Sequence, residues 1–285
     1  MKIQMICMDL DGTALQKDRT SFSPRLAAAL AAAHERGIAV VVVTGRQFGL
    51  LPPAVTCHPE WENLAVLCNG GQIRCLGTGE LLEGLDIGAA ALEQLLLLAD
   101  RFDLPVEFSL DSKLYLTEHS WQLQQNDPGL AFHRDVILAK NGYVVDSLEP
   151  LCKRAVEKVN LLCIPEEQRQ TVVQELNQIA VSAVWSSRNC MEITHPLADK
   201  GRGLERVCSL LGIPAENTMA LGDSGNDIAM LRRAGLGVAM GNAPDFVKEA
   251  ADVVTDRFDE DGAAKAIECW ALQLTGNHTA PCGGL

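Results

Sequence analysis

The sequence predicts an α/β protein: a doubly wound, mainly parallel, Rossmann-like sheet carrying an inserted α+β domain. Three observations lead there. An apolar run at Ile3–Met8, an alanine-rich helical stretch and a second apolar run at Ile38–Val43 make one βαβ unit near the start of the chain. The same strand–helix rhythm returns after His195. Between Gln72 and Thr194, short strand-like runs follow one another without that alternation, the texture of a separate α+β domain.

The elements follow from local chemistry. Ile3–Met8 is continuously apolar, as suits a strand buried on both faces, and it stops at Asp9 and Asp11. Ser23-Pro24 reads as N-cap and first residue of a helix to about Arg36, with Gly37 as its stop. Ile38–Val43 and Leu64–Cys68 are further buried strands, ending in Thr44-Gly45-Arg46 and Asn69-Gly70-Gly71. Right-handed crossover connections bring these strand ends to one edge of the sheet. Gly77-Thr78-Gly79 reads as a hairpin turn, and Gly88–Phe102 as a helix. Val106–Leu110, Lys113–Leu116, Val156–Cys163, Val181–Ser186 and Cys190–Thr194 read as strands, and Trp121–Pro150 as loop with some helix. A helix over Lys200–Leu211 leads into a strand at Thr218–Leu221, which ends in Gly222-Asp223-Ser224-Gly225-Asn226-Asp227 and opens another helix. Strands at Gly237–Met240 and Asp252–Val254 and a helix from Asp261 to Leu274 complete the pattern. The expected division is 1–82 with 195–274 as a discontinuous core, 83–194 as the insertion, and 275–285 as a disordered tail.

Composition narrows the partners. The 285 residues are 47% hydrophobic and 21% charged, with a net charge of −13. Such a balance argues against nucleic acid or an anionic membrane, both of which are bound by clustered Lys and Arg. It leaves room for a phosphate substrate, since a metal ion, one lysine and helix N-termini reverse the field locally. The ten cysteines are scattered without metal-like spacing, and no signal peptide or membrane-length apolar run stands out. The expectation is reduced thiols in a cytoplasmic protein, a monomer or weak homodimer.

The acidic clusters carry the chemistry. Asp9 and Asp11, two apart in extended chain, face the same side at a sheet's carboxyl end, where open α/β sheets bind ligands. Taken alone, the pair also fits an acidic strand end that caps a turn. Two such carboxylates repel unless a cation lies between them, and Mg²⁺ is the hard, oxygen-seeking candidate. Asp9 is then the nucleophile and Asp11 the general acid and base. Asp223 at the end of a second strand supplies a further carboxylate. Asp9 and Asp223, with the backbone carbonyl of Asp11, make a metal site, and Asp227 holds the loop behind it. The Thr44 hydroxyl, the Gly45 amide and Lys200 are the candidate donors to a phosphoryl group; Asn226 donates to a phosphate oxygen or to a nearby carboxylate, and Arg46 either reaches substrate or makes a surface ion pair.

DLDGT, TGR, Lys200 and GDSGND, in that order, resemble the four motifs of the haloacid dehalogenase-like hydrolases, and in particular the Cof-type branch with its large inserted cap. The resemblance covers the chain to about Leu274. It implies a Mg²⁺-dependent phosphatase acting on a small phosphorylated metabolite, a sugar phosphate or a phosphorylated cofactor. It also implies a phosphorylated Asp9 and an acid/base Asp11. The alternatives are a sugar phosphomutase, or a metabolite-binding protein on the same scaffold.

Overall fold

The strands form where the sequence runs apolar. The computed structural model describes residues 2–57, 64–125, 127–131 and 133–274. Among them the strands are β1 (Met5–Met8), β2 (Ala39–Val43), β3 (Ala65–Leu67), β4 (Gln72–Arg74), β5 (Leu81–Gly84), β6 (Val106–Leu110), β7 (Lys113–Thr117), β8 (Gly142–Val145), β9 (Lys158–Leu161), β10 (Ser182–Trp185), β11 (Met191–Thr194), β12 (Thr218–Gly222), β13 (Leu236–Ala239) and β14 (Val253–Val254).

They make two sheets. The first has the order β14-β13-β12-β1-β2-β3-β4-β5. It is parallel from β14 through β3, and β4 pairs antiparallel to β3. Every residue of β1, β2 and β12 is buried, which is why these strands carry no polar alternation. Met5 and Cys7 of β1 pack with Val41, Val66, Leu204, Val207 and Met230 in one cluster. The helix Pro24–Glu35 starts as its sequence dictates, with the Ser23 Oγ accepting from the Leu26 amide. The central position of β1 sets up the site. The chain winds away from it through β2 and β3 on one side, and through β12, β13 and β14 on the other, so β1 lies at the switch in strand order.

The second sheet has the order β10-β11-β9-β6-β7-β8. Its neighbours are antiparallel except β7 and β8, which run parallel. The helices Ala89–Phe102 and Arg169–Leu176 bury Leu92, Leu95 and Val172 with Phe108, Val159, Leu161 and Ile193 in a second core. The alternate strand positions, Glu107, Ser109, Lys158, Asn160 and Glu192, are polar. Cross-strand register puts Glu107 opposite Asn160, Ser109 opposite Lys158 and Asn160 opposite Glu192, so the polar side chains share one face.

The chain divides into two compact units: Met1–Thr44, Leu51–Leu82 and Asp199 onward in the first, Gly45–Leu50 with Glu83–Ala198 in the second. Two points differ from the sequence-based division. The first unit resumes at Asp199 rather than at 195. The residues after Thr44, expected in the core, fold with the second unit, because Lys158 Nζ donates to the Gly45 carbonyl at 2.7 Å and Asn141 Nδ2 to the Gly49 carbonyl at 2.9 Å. The 121–150 region is more regular than expected, containing most of a helix at Glu118–Gln125 and the strand β8. The last helical stretch is shorter, Gly262–Ala266 followed by a wider turn at Ile267–Ala271. The tail 275–285 lies outside the described residues. Among the described residues Cys7, Cys57, Cys152, Cys163, Cys190 and Cys208 are free thiols.

Candidate active site

The site begins where β1 ends. Asp9 follows Met8, and its backbone amide is held by the Leu221 carbonyl at 3.1 Å. The chain then turns sharply. Asp11 (φ −75°, ψ 122°) and Gly12 (φ 77°, ψ 0°) have the dihedrals of the two central residues of a type II turn, which needs a residue tolerant of positive φ in its second central place. Gly12 is required for a second reason, since a Cβ there would lie 2.4 Å from Asp223 Oδ2. The turn therefore admits Asp223 from the neighbouring strand β12.

Lys200 is the electrostatic centre. It is the first residue of the helix Lys200–Leu211, which Asp199 caps by accepting from the Arg202 amide. Its Nζ lies 2.7 Å from Asp9 Oδ1 and 2.6 Å from Asp227 Oδ1. With Lys200 only 1% exposed, burial alone would depress its pKa. The Asp227 and Asp9 charges override that and hold the ammonium above its ordinary value. The carboxylates show the converse: burial pushes Asp9 well above the usual range, against the pull of Lys200 and with the push of Asp227 and Asp223. Asp223 is pushed up to about 7 by burial and by Asp227, with Lys200 opposing.

Asp227 is fully engaged. Its Oδ2 accepts the Asp223 and Ser224 amides, each at 2.9 Å, while Oδ1 takes Lys200. Asp9 differs, since Oδ1 is clamped by Lys200 while Oδ2 carries no hydrogen bond from a described residue. Asp223 accepts from the Thr13 hydroxyl at 3.2 Å and from Asn242 Nδ2 at 3.1 Å. Carboxylate oxygens of Asp9, Asp223 and Asp227 all lie within 4.8 Å of one another. The Asp11 side chain is not in that group; it stands half-buried on the turn.

The remaining candidates are placed as follows. Thr44 is buried at the end of β2, its amide on the Val66 carbonyl at 2.9 Å and its own carbonyl accepting from Asn69 at 3.1 Å. Gly45 and Arg46 belong to the second unit, where Arg46 Nη1 donates to the Leu50 carbonyl at 3.1 Å. Asn226 donates to Asn69 Oδ1 at 2.9 Å rather than to a carboxylate. Asn69 itself sits in the left-handed region, at φ 55°, which asparagine tolerates. Sequence reasoning overlooked Asn242, whose Nδ2 also donates to the Gly12 carbonyl at 3.0 Å and so ties the DLDGT turn to Asp223. The usable signal was its place just beyond the carboxyl end of β13. A cleft of about 580 Å³ on the second unit, lined by Arg169, Val173, Trp185 and Arg188 among others, contains none of these residues. No helix among the described residues is long and apolar enough to cross a membrane.

Acidic ends of adjacent parallel strands, joined by one buried lysine, define a phosphoryl-transfer type of site. The family model of the haloacid dehalogenase-like hydrolases matches residues 6–267. The chain belongs to that family, in its Cof-type branch, and is a phosphoric monoester hydrolase. It is 30% identical over 283 residues to the 5-amino-6-(5-phospho-D-ribitylamino)uracil phosphatase YcsE of Bacillus subtilis, covering 95% of this chain and 96% of that one. It is 29% identical to the pyridoxal phosphate phosphatase YbhA of Escherichia coli, over 94% of this chain and 98% of the other. A solved haloacid dehalogenase-like hydrolase from B. subtilis superposes with a TM-score of 0.81 at 26% identity, covering 93% of this chain and 99% of that one.

Proposed function

We propose that the protein is a Mg²⁺-dependent phosphatase that hydrolyses a small phosphorylated metabolite, a sugar phosphate or a phosphorylated cofactor, through an aspartyl-phosphate at Asp9. The observation that carries this reading is the asymmetry of Asp9: one oxygen fixed by a buried lysine, the other without a hydrogen-bonding partner among the described residues and close to two further carboxylates. That is the state of a nucleophile aimed but not spent.

The donor set fits the ion. It is all carboxylate oxygen, and burial and mutual repulsion push Asp9 and Asp223 up, so a hard dication relieves the charge. Both oxygens of Asp227 are already engaged, leaving Asp9, Asp223 and the Asp11 carbonyl as the ligands and Asp227 as the residue that holds the loop. When bound, the ion offsets the negative charge of the phosphoryl oxygens facing Asp9.

The steps belong to the chain's own residues. Asp9 Oδ2 attacks phosphorus while Asp11 gives its proton to the leaving oxygen, so the ester P–O bond breaks as the aspartyl-phosphate forms. Asp11, now ionised, takes a proton from water, whose oxygen attacks phosphorus and releases inorganic phosphate and free Asp9. The Thr44 hydroxyl, the Gly45 amide, Lys200 and Asn226 bind the equatorial oxygens, with Arg46 the outermost candidate. The second unit acts as a cap that reads the leaving group, since the core motifs address only the phosphoryl group.

The relatives' substrates, a ribitylaminouracil phosphate and pyridoxal phosphate, support a small phosphorylated metabolite without selecting one. A panel of sugar phosphates and phosphorylated cofactors, assayed for released phosphate with Mg²⁺ and with EDTA, tests the reading. Phosphate release that continues undiminished in excess EDTA would overturn the metal scheme. An isomeric phosphate ester formed without free phosphate would replace hydrolysis by a mutase.

A further inference from the structure

We infer that Asn242 is a positioning residue of the metal site, setting the direction of the Asp223 carboxylate; the inference rests on the proposed role of Asp223 as a Mg²⁺ ligand. All the groups involved lie in the first unit. Asn242 stands just beyond the carboxyl end of β13. Its Nδ2 donates to Asp223 Oδ2 at 3.1 Å and to the Gly12 carbonyl at 3.0 Å, and its Oδ1 accepts the Phe258 amide at 3.0 Å. The Phe258 N–H fixes which end of the side chain is oxygen, since a donor must face an acceptor. The two remaining N–H groups are thereby turned toward a carbonyl and a carboxylate.

The backbone of Asp223 is fixed without this amide. The peptide plane between Gly222 and Asp223 is held on its oxygen side by the Met240 amide at 3.0 Å and on its nitrogen side by Asp227 Oδ2 at 2.9 Å. What remains to be set is the rotation of the Asp223 side chain. Asn242 and Thr13 govern that rotation, one oxygen each: Asn242 Nδ2 on Oδ2, and the Thr13 hydroxyl on Oδ1 at 3.2 Å. Each oxygen keeps acceptor capacity for an ion, because a carboxylate oxygen has two lone pairs. Asn242 is itself anchored by its neighbours, the Gly241 amide on the Asp256 carbonyl and the Ala243 amide on the Met240 carbonyl, both at 3.0 Å. A staple between loops would need only the Gly12 and Phe258 bonds. The bond to Asp223 is the one such a staple does not require. Hydrogen-bond partners of a metal-ligating carboxylate set its orientation and, through it, the affinity of the site.

The test separates orientation of the ligand from stapling of the loops, on variants of the full chain. Asn242→Ala removes every bond of the amide. Thr13→Val keeps the shape of the threonine and removes the donor on the other oxygen. Phe258→Pro removes the N–H that Oδ1 accepts and leaves both Nδ2 bonds; Arg257 before it is extended (φ −68°, ψ 156°), as a residue preceding proline prefers. Calorimetry gives the Mg²⁺ dissociation constant, and thermal melts with Mg²⁺ and with EDTA give the stabilisation by the ion. Kinetics on p-nitrophenyl phosphate give the Mg²⁺ activation constant and the KM of the ester. Asn242→Ala should bind Mg²⁺ about tenfold to a hundredfold more weakly, with a smaller rise in melting midpoint on adding the ion. Its activation constant should rise in step, while the ester KM at saturating Mg²⁺ stays near that of the wild type. Thr13→Val should shift Mg²⁺ affinity in the same direction. Phe258→Pro should melt lower in EDTA yet keep wild-type affinity for Mg²⁺. An Asn242→Ala protein with wild-type Mg²⁺ affinity overturns the inference. So does a Phe258→Pro protein that loses as much affinity as Asn242→Ala, or an Asn242→Ala protein that fails to fold, since the amide would then be a staple only. Failure of the underlying reading looks different: the wild type itself would bind no Mg²⁺ and would release phosphate in excess EDTA.

Discussion

Replacing Lys200 by methionine probes the charge arrangement of the site directly. Methionine matches the length of the lysine stem but leaves Asp9, Asp223 and Asp227 with no opposing charge among the three. In the wild type the ammonium is 1% exposed and contacts carboxylates that are 5% and 0% exposed, so water does little of the screening. Removing one partner of a buried pair costs about 3–5 kcal/mol. For a chain of this size each kcal/mol moves the melting midpoint by roughly 2–4 °C, so the metal-free variant should melt roughly 6–20 °C lower than the metal-free wild type. Circular dichroism melts in EDTA measure this. On the proposed metal site, adding Mg²⁺ should narrow the gap, because a ligand of the folded state alone stabilises it. A double-mutant cycle with Asp227→Asn should return a coupling of about 1–3 kcal/mol. A Lys200→Met protein that melts within 2 °C of the wild type in EDTA, about the shift of 1 kcal/mol or less, would refute the idea that one lysine holds the carboxylates together.

Three further outcomes are expected. Asp9→Asn should lose turnover by orders of magnitude and fail to retain phosphate from substrate after acid quench, while its metal-free melting point holds or rises slightly; ordinary turnover would remove the covalent step. Gly12→Ala forces a Cβ to 2.4 Å from Asp223 Oδ2 at a positive φ, so it should weaken Mg²⁺ binding by calorimetry, and unchanged affinity would show that the turn does not shape the metal site. Glu107 is fully buried, accepting from Gln124, Asn160 and His133; burial opposes its ionisation, but the His133 charge and these hydrogen bonds hold its pKa below the ordinary value. An acid depressed in the folded state contributes stability above its unfolded pKa, about 4.3, and loses it as the pH falls below that value. Wild-type stability should accordingly fall more steeply with acid below about pH 4.3 than that of Glu107→Gln, and parallel curves would exclude Glu107 as the titrating group.

The central strands were legible because a parallel sheet covered on both faces must be apolar throughout, and β1, β2 and β12 are buried at every position. The paired acidic signals were legible because they stand at strand ends, where topology alone makes them neighbours. The strand β8 was not, since it is a four-residue edge strand whose Tyr143 and Val144 are 44% and 53% exposed, without alternation or continuous burial to mark it. Asn69 and Asn242 escaped for another reason. Each is a single amide in a loop, and its meaning comes from partners 157 and 230 residues away in the chain. Lys158 lay inside a segment correctly read as strand, but its carboxylate partner is 34 residues off and the carbonyl it holds 113 residues off.

Those long-range partners bear on how specificity and chemistry are joined. Were the second unit an insertion attached only at Leu82 and Ala198, cutting it out would leave the four motifs untouched. The segment Gly45–Leu50 rules that out, because it takes hydrogen bonds from Lys158 and Asn141 of the second unit. A core without Glu83–Ala198 would release the Gly45 and Gly49 carbonyls, and with the first of them the residue beside Thr44. The cost would then fall on a minimal ester such as p-nitrophenyl phosphate as well as on a metabolite, so equal losses in a deletion would not acquit the second unit of reading the leaving group. The cleaner instrument is a set of substitutions on the second unit that leave the Lys158 and Asn141 hydrogen bonds to this segment in place, compared for a metabolite and for the minimal ester.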